Sequence, residues 1–403
     1  MHLFLTWLVW LSGPSPEIEK VTNPVQVGRY TLDLKEDLRF GAEEDGDEYL
    51  WVDGQISTRF DVDKRGHFYI TDIKNSRILE FDEQGAFIGE LAKKGEGPGE
   101  YQNLFLFEIL TSGRAIGFDF LGGISKFSYY DDNLKYLETK SHQDPKFGFY
   151  LPDFSDDGRW VYAWGFSFNA ETASTVFKTA LFNNDFQMEK LLSETPWPTF
   201  DPNRFNDPEF WVDYLAQQFD GLINRGSFFA RFLDNGDVLV ANSKKYEIER
   251  YRSNLKTAET QIVKDYEPIP FAEKDVQAIA DFVEETLFEQ VPAVRDIATP
   301  NVIRRAVQKA NLPKLQNPVA DILPMEGGRF LVMHQANIGT GSFIADLFDE
   351  KGKCIGRVAS PGNGIYDVFG IRARFKNGYF YAMEKNEDGD NQMVRYRFEL
   401  VKR

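Results

Sequence analysis

The stretch FDVDKRGHFYITDIKNSRILEFDEQGAFIGELAKKGEGPGE, residues 60–100, decides the fold. It contains four short runs rich in β-branched and aromatic residues, separated by polar turns such as Lys64-Arg65-Gly66 and Glu83-Gln84-Gly85. Strands of this length and composition, joined by Gly-containing turns, are typical of an antiparallel meander. Because a lone four-stranded sheet has two exposed edges and an uncovered face, the stretch predicts further sheets of the same kind.

The same pattern recurs five more times along the chain. Each copy has an apolar strand, a polar turn that ends in glycine, and a second apolar strand; the turn glycines are Gly113, Gly158, Gly236, Gly328 and Gly378. Repeats of about 40 to 50 residues with four strands each are typical of β-propellers. The sequence therefore predicts an all-β fold, a six-bladed propeller with four-stranded antiparallel blades.

The first repeat continues into Gly95-Glu96-Gly97-Pro98-Gly99-Glu100-Tyr101, and with this continuation it resembles the NHL repeat. The chain as a whole resembles the bacterial six-bladed β-propeller proteins of the NHL-repeat and TolB-like type. The close likeness covers residues 60–101, and elsewhere the blade pattern alone carries it. The resemblance implies the propeller fold but no particular activity, because one propeller scaffold hosts many unrelated functions.

Residues 25–403 are predicted to form one domain, with two insertions at about 195–226 and 268–318. A strand at 25–34 precedes the first repeat, whereas the last repeat supplies only three strands. We expect the strand at 25–34 to pair with the strand at 393–400, because this pairing closes the ring and covers two edges. Within the insertions, helices are predicted to start near Pro208, to span 273–290 and to span 301–311.

Composition restricts the partners and the location of the protein. The net charge of −17 opposes binding to nucleic acid and to anionic membrane surfaces. The single cysteine, Cys354, excludes an intramolecular disulfide. Residues 1–12 form an apolar run that is too short to span a bilayer and resembles the core of a signal peptide. Residues 1–16 therefore predict export to the periplasm or out of the cell. The alternative is an apolar terminus with no role in targeting.

In a propeller, the blade-to-blade connections and the turns between second and third strands share one face. Both insertions and the Gly-rich loop at 95–101 belong to such connections, so we expect all of them on that face. The polar side chains predicted to form a binding rim there are Asp72, Asn75, Arg77, Glu100, Tyr101, Asp119, Asn242, His334 and Glu384. The alternative for the Asp and Asn residues is that they cap their own turns, and for His334 that it is structural rather than a general base.

No self-evident catalytic motif appears: there is no Gly-x-Ser-x-Gly, no His-Glu-x-x-His and no paired cysteines. The leading interpretation is a non-catalytic, exported, monomeric propeller that binds a protein, peptide or glycan through its helix-decorated face. No catalytic residue and no cofactor is predicted for it. The alternative is a lactonase or lyase of the propeller type with a divalent cation at the channel mouth, held by acids and amides drawn from Asp72, Glu100, Asp119, Asn242, His334 and Glu384.

Overall fold

Six four-stranded antiparallel sheets form the body of the protein. The computed structural model describes residues 18–25, 27–41, 58–121, 123–144, 146–169, 174–223, 228–252, 254–290, 292–337, 342–359, 366–367, 370–371, 373–386 and 391–403. The signal-like run at 1–12, the acidic segment at 43–48 and most of the connection at 360–366 lie outside the described residues.

Two strands precede the first repeat, β1 (Glu19–Asn23) and β2 (Arg29–Phe40). Blade 1 consists of β3 (Thr58–Val62), β4 (Phe68–Asp72), β5 (Arg77–Phe81) and β6 (Phe87–Ala92). Blade 2 consists of β7 (Leu104–Ile109), β8 (Ala115–Leu121), β9 (Ile124–Tyr130) and β10 (Tyr136–His142). Blade 3 consists of β11 (Gly148–Phe154), β12 (Trp160–Asn169), β13 (Ser174–Asn183) and β14 (Met188–Trp197).

The second half of the chain repeats this order. Blade 4 consists of β15 (Phe228–Phe232), β16 (Val238–Asn242), β17 (Glu247–Tyr251) and β18 (Thr260–Lys264). Blade 5 consists of β19 (Asp321–Pro324), β20 (Phe330–Asn337), β21 (Ser342–Phe348) and β22 (Cys354–Ala359). A short hairpin of β23 (Tyr366–Asp367) and β24 (Gly370–Ile371) leads to blade 6, which contains β25 (Ala373–Lys376), β26 (Tyr379–Lys385) and β27 (Asn391–Lys402).

Strand β2 supplies the fourth strand of blade 6. It runs antiparallel to β27, with Leu32 opposite Leu400 and Leu34 opposite Phe398. The predicted closure of the ring by an N-terminal strand is thus confirmed, although the strand begins at Arg29 rather than at residue 25.

The N-terminal segment does more than complete blade 6. Strand β1 pairs in parallel with β18, so that it forms a fifth, outer strand of blade 4, and residues 29–31 pair in parallel with β22 of blade 5. The Asn23 side chain is buried between these two blades, where its amide donates to the carbonyls of Val263 and Gly352 and accepts from the Cys354 amide. Residues 19–23 and 29–40 therefore run along the outer edges of blades 4, 5 and 6, an arrangement that the alternating sequence pattern did not predict.

Hydrogen bonds join every pair of neighbouring blades on the face that carries the hairpins between first and second strands, which we call the hairpin face. In order around the ring, the donors and acceptors are Ile109 N to Asp61 (2.7 Å), Phe154 N to Glu108 (3.0 Å), Arg159 to Gly236 O (3.2 Å), Gly327 N to Asp234 (2.7 Å), Gly378 N to Glu326 (3.0 Å) and Asn377 to Asp63 O (2.7 Å). The bonds donated by Ile109 and Phe154 are buried, and because buried backbone donors need partners, these two bonds fix blades 1, 2 and 3 relative to one another.

Aromatic side chains fill the spaces between blades. Between blades 2 and 3, the ring of Phe127 stacks on Phe186 at 4.0 Å and meets Phe149 edge-on at 5.6 Å. Such pairs stabilise a packed interface beyond the area that they bury. The high Phe content of the chain is thus explained by packing between sheets.

The two insertions form one helical unit on the opposite face, which we call the connection face. Helix α1 (Pro208–Ile223) lies between β14 and β15, and α2 (Glu273–Gln290) and α3 (Pro300–Lys309) lie between β18 and β19, close to the predicted bounds. Helix α1 packs against α3 through a shared apolar cluster that includes Trp211 and Ile303, and Arg305 pairs with Glu209 at 2.6 Å. Among the described residues, none of these helices is long and apolar enough to cross a membrane.

Candidate functional site

Asp72, Asn75 and Arg77, three of the predicted rim residues, form one local network in the turn between β4 and β5. The buried Asp72 carboxylate accepts from the Asn75 amide nitrogen (3.2 Å), the Asn75 side chain (2.8 Å) and Arg77 Nε (2.8 Å). The carboxylate oxygens thus accept hydrogen bonds from their own turn. This is the capping role, the alternative to ligand binding.

Asp119, Glu100 and Tyr101 hold the Gly-rich connection at 95–101. Asp119 accepts from the backbone amides of Gln102 (3.1 Å) and Asn103 (3.0 Å), and Glu100 accepts from the Gly97 amide (2.9 Å). Tyr101 is buried, and its hydroxyl lies 2.9 Å from that of Tyr130. The loop therefore receives its polar contacts from the blade edge beside it.

Asn242 and Glu384 likewise contact their own surroundings, whereas the buried Nε2 of His334 lies 3.9 Å from Asp346 and has no hydrogen-bond partner among the described residues. Asn242 accepts from the Lys244 amide at 3.1 Å, and the buried Glu384 pairs with Arg39 at 3.0 Å and accepts from the Tyr396 hydroxyl. Burial lowers the pKa of His334 to about 4, so the imidazole is neutral at pH 7. The predicted rim residues thus lie on the connection face in separate groups that do not converge on one point. The described residues contain no group of three His, Cys, Asp or Glu side chains placed to hold a metal ion.

A cavity of about 490 Å³ opens instead at the hairpin face. It is lined by the inner strands and by the first-to-second hairpins of all six blades. The cavity occupies the central channel, because the inner strand of each blade faces the axis of the propeller. It therefore lies on the side of the molecule opposite to the helical unit.

Charged side chains from the inner strands surround this cavity. In blades 1 to 4 the position five residues before the turn glycine carries Asp61, Glu108, Asp153 and Arg231, and all four line the cavity. Blade 6 has a turn shorter by one residue and places Arg374 there. We call these five residues the channel ring.

In blade 5 the corresponding position holds Leu323, which is apolar, and the charge lies two residues earlier at Asp321. Two residues along a strand return to the same face of the sheet. Asp321 pairs with Arg231 of blade 4 at 2.7 Å. Blade 5 thus contributes a carboxylate beside the ring rather than within it.

Asp61 is the best-compensated acid of the channel ring. Its carboxylate lies 2.8 Å from Lys376 Nζ and 2.9 Å from Arg374 Nη1, and it also accepts from the backbone amide of Ile109. Although burial acts to raise it, the pKa of Asp61 is held below its ordinary value by Arg374 and Lys376. Asp61 is therefore charged at neutral pH.

Glu108 and Asp153 form a carboxyl pair in the wall between blades 2 and 3. Glu108 accepts at 3.0 Å from the amide of Phe154, the residue that follows Asp153, and both carboxyls line the cavity. Burial raises the pKa of both groups, and for Glu108 the neighbouring Asp153 charge raises it further. Two buried carboxyls in contact share a proton more readily than they both ionise.

Two further features complete the cavity wall. Asp156 lies in the turn beside the pair, and burial raises its pKa as well. From β12, Tyr162 and Trp164 supply aromatic surface, and the Trp164 indole donates to the Tyr162 hydroxyl at 2.7 Å. The wall thus combines acids, guanidinium groups and aromatic rings, the set of groups that polar ligands require.

This ring was not predicted from the sequence, because the predicted site residues were chosen from the long loops of the connection face. A signal was nevertheless present. Asp61, Glu108, Asp153 and Arg231 interrupt otherwise apolar inner strands at one fixed distance from the turn glycine. A recurrent charge in the innermost strand of each repeat indicates side chains that face the channel.

Comparison with known proteins supports the fold. Residues 54–219 match a protein family described as "6-bladed beta-propeller". No curated protein matches the sequence.

Three solved structures resemble the chain at low identity. A Bacteroides fragilis protein described as exported is 13% identical, with a TM-score of 0.46, and the match covers 95% of this chain and 100% of that one. Virginiamycin B lyase from Staphylococcus aureus is 9% identical with a TM-score of 0.40, over 91% of this chain and 99% of that one. TolB from Acinetobacter baumannii is 9% identical with a TM-score of 0.34, over 81% and 61%. With six described blades and a matching family, the chain is a six-bladed β-propeller, as its repeats and its resemblance to such proteins predicted.

Proposed function

We propose that the protein is a non-catalytic binding protein that holds a saccharide or a short peptide in the channel cavity of its hairpin face. The observation that carries the proposal is the 490 Å³ cavity with its ring of charged side chains. Ligand pockets in proteins typically enclose about 300 to 1,000 Å³ and place a few polar groups on an otherwise apolar wall. The channel cavity has this size, and its wall carries more charged groups than such pockets usually do, which favours a polar ligand.

The polar groups of the ring are held rigidly, which favours recognition. Asp61 and Glu108 each accept a backbone amide of the next blade, so their carboxylates are fixed by the same bonds that lock the blades together. Side chains fixed before a ligand arrives lose little entropy when it binds. The ring is thus able to select ligands by the positions of their hydroxyl, amino or carboxylate groups.

The helix-decorated connection face remains a second proposed surface for a protein, peptide or glycan. Two observations support this second surface. Both insertions pack into one helical unit, and the exposed Phe200 lies beside the aromatic cluster of α1. An enzyme is the alternative to both binding proposals. The observation in favour of catalysis is the Glu108–Asp153 pair, because a carboxyl whose pKa is raised keeps its proton to a higher pH and is able to act as a general acid.

We further propose that the protein is exported and monomeric. The apolar run at residues 1–12 supports export. Fractionation of the producing cells and size-exclusion chromatography test the two statements. Recovery in the cytoplasm with the N-terminal run intact would contradict export.

The binding proposal is tested by thermal shift against a panel of saccharides and short peptides. Replacement of Leu323 by Trp fills the cavity from blade 5, whereas replacement of the exposed Phe200 by Ala alters the connection face. We expect at least one class of ligand to raise Tm in the wild type and in Phe200→Ala but not in Leu323→Trp. A ligand whose stabilising effect on Tm is lost only in Phe200→Ala would indicate a site on the connection face instead.

A lactone panel assayed with and without EDTA tests the metal-dependent alternative. Turnover that EDTA abolishes and added divalent cation restores would favour the enzyme over the binding protein. A second assay with Glu108→Gln separates metal chemistry from proton transfer by the carboxyl pair. Unchanged turnover in that variant would exclude the pair from the reaction.

A further inference from the structure

Strand β1 occupies the outer edge of blade 4 but buries little of its own surface. It pairs in parallel with β18, and its side chains Glu19, Lys20 and Thr22 are exposed. Val21 is half-buried, and Asn23 is the one buried residue of the five. The contacts that hold β1 are therefore chiefly the hydrogen bonds of the backbone ladder and those of one buried polar side chain.

The Asn23 side chain is a specific anchor for the strand. Its amide nitrogen donates to the carbonyls of Val263 (3.3 Å) and Gly352 (3.2 Å), and its oxygen accepts from the Cys354 amide (2.8 Å). Other polar side chains do not reproduce this combination of two donated bonds and one accepted bond. The edge of blade 4 thus accepts an extended segment of five residues whose last residue is asparagine.

Release of β1 exposes the backbone of β18. Within the described residues β1 is the outermost strand of this sheet, so β18 becomes the edge strand when β1 leaves. Unpaired donors and acceptors on an edge strand pair readily with another extended chain. Elements with few buried apolar contacts open at a lower free energy than the whole domain unfolds. Opening at this edge is therefore easier than disruption of any complete blade.

We propose that the outer edge of blade 4 is an interface between two copies of this protein, in which residues 19–23 of each copy pair with β18 of the other. The segment that fits this edge is seen in the closed molecule, and every copy carries it. A reciprocal exchange preserves each hydrogen bond of β1 and transfers it to the second chain, which gives a closed pair with twofold symmetry. The inference goes beyond the proposed function, because it concerns the outer rim of the ring rather than the channel cavity.

The chain between β1 and β2 limits where the two copies meet. Residues 24–28 separate these strands and span at most about 17 Å. Since β2 stays in its ladder with β27, the two copies must meet at the rims of blades 4 and 5. In dilute solution each β1 remains on its own blade, because a tethered strand meets its own edge at a high effective concentration. The exchange therefore grows with protein concentration and is compatible with the proposed monomer in dilute solution.

The experiment is disulfide trapping between two variants of the full chain, Lys20→Cys and Gln261→Cys. Lys20 and Gln261 lie opposite each other in the β1–β18 pair. Neighbouring strands are about 4.8 Å apart, a Cα separation that a disulfide is able to bridge. The double variant with both substitutions should form the disulfide within one chain, which tests that the two positions are suitable.

The two single variants, one of them with a larger C-terminal tag, are mixed, incubated and oxidised in a brief pulse. A disulfide between the two chains requires residue 20 of one copy to lie on β18 of the other. We expect this mixed dimer on a non-reducing gel, and its fraction should rise about tenfold when the protein concentration is raised about tenfold. The matched control mixes Lys20→Cys with Asp132→Cys, in an exposed turn of blade 2, and should give only the background of random collisions.

Asn23→Ala in both chains supplies a second readout. The substitution removes the anchor equally from the closed molecule and from the exchanged pair, so the final fraction of mixed dimer should not change. Release of β1 becomes easier, and the mixed dimer should form about tenfold faster, the effect of about one lost buried hydrogen bond. Asn133→Ala, in the exposed turn of blade 2, should leave the rate unchanged.

Three results would count against the inference. If the double variant forms its internal disulfide but the mixture gives no mixed dimer above the control, exchange is overturned and the proposed function is unaffected. A mixed dimer that forms at the same rate in Asn23→Ala would indicate contact between copies without release of β1, and this also overturns the exchange. A double variant that forms no internal disulfide would contradict the pairing of β1 with β18 on which the inference depends.

Discussion

Replacement of Asp61 by Asn is the sharpest test of how the blades are held together. The carboxylate accepts from the amides of Val62 and Ile109, both at 2.7 Å, and pairs with Lys376 at 2.8 Å and Arg374 at 2.9 Å. It therefore connects blades 1, 2 and 6 at one buried point, where its side chain is 1% exposed.

Asparagine has nearly the same shape, but it carries no charge and one of its two terminal groups is a donor. Lys376 and Arg374 then lose the carboxylate that compensates them in a buried site. Removal of one partner from a buried ion pair typically costs about 3 to 5 kcal/mol, because the remaining charge is left without a partner. We expect the free energy of unfolding of Asp61→Asn to fall by about 3 kcal/mol, the lower end of this range, because the Lys376 and Arg374 side chains are 19% and 34% exposed.

The assay is guanidinium-induced unfolding followed by tryptophan fluorescence and by circular dichroism. The matched control is Asp82→Asn, whose carboxylate accepts the amides of Gln84 (2.9 Å) and Ala86 (2.8 Å) in an exposed turn of the same blade. The control should cost about 1 kcal/mol or less, the usual net value of one exposed hydrogen-bonded turn. Equal stability of the two variants would refute the reasoning.

Three further outcomes follow from the structure. Asn23→Ala removes two buried hydrogen bonds and one part-buried hydrogen bond between blades 4 and 5 and should lower the free energy of unfolding by about 1 to 3 kcal/mol; increased hydrogen exchange confined to residues 19–23 and 29–31 is its signature. Because the pKa of Glu108 is raised, the folded state retains a proton that the unfolded state releases above about pH 4.5. The free energy of unfolding should therefore fall as the pH rises from about 4.5 through the raised pKa. Glu108→Gln should flatten the slope of Tm against pH. Gly165→Ala places a methyl group against the ring of the buried Phe147 and should lower Tm in a thermal melt, whereas Gly89→Ala meets open space and should leave Tm almost unchanged.

The six repeats were predictable because each has a local signal. An apolar run, a turn that ends in glycine and a second apolar run occur within about a dozen residues, and Gly66 and Gly236 adopt the positive φ that favours glycine in such turns. The helices at 208, 273 and 300 were predictable for the same reason, since apolar spacing and an N-terminal proline or acid are local features. Local patterns also revealed the missing strand of blade 6.

The route of the N-terminal segment was not predictable, because it depends on contacts between residues far apart in the chain. Asn23 lies more than 300 residues from Cys354, and nothing near it in sequence indicates a buried position between two blades. The channel ring was not predicted from the sequence for a different reason. Asp72 and Asn242, at the ends of second strands, accept hydrogen bonds within their own turns. The charges of inner strands such as Asp153 and Arg231 converge only once six blades surround one axis.

The most direct test of the account is a crystal structure of the protein soaked in L-alanyl-L-alanine. We expect electron density for the dipeptide in the channel cavity, in contact with the channel ring. An empty cavity, or density for the dipeptide only on the helix-bearing connection face, would contradict it.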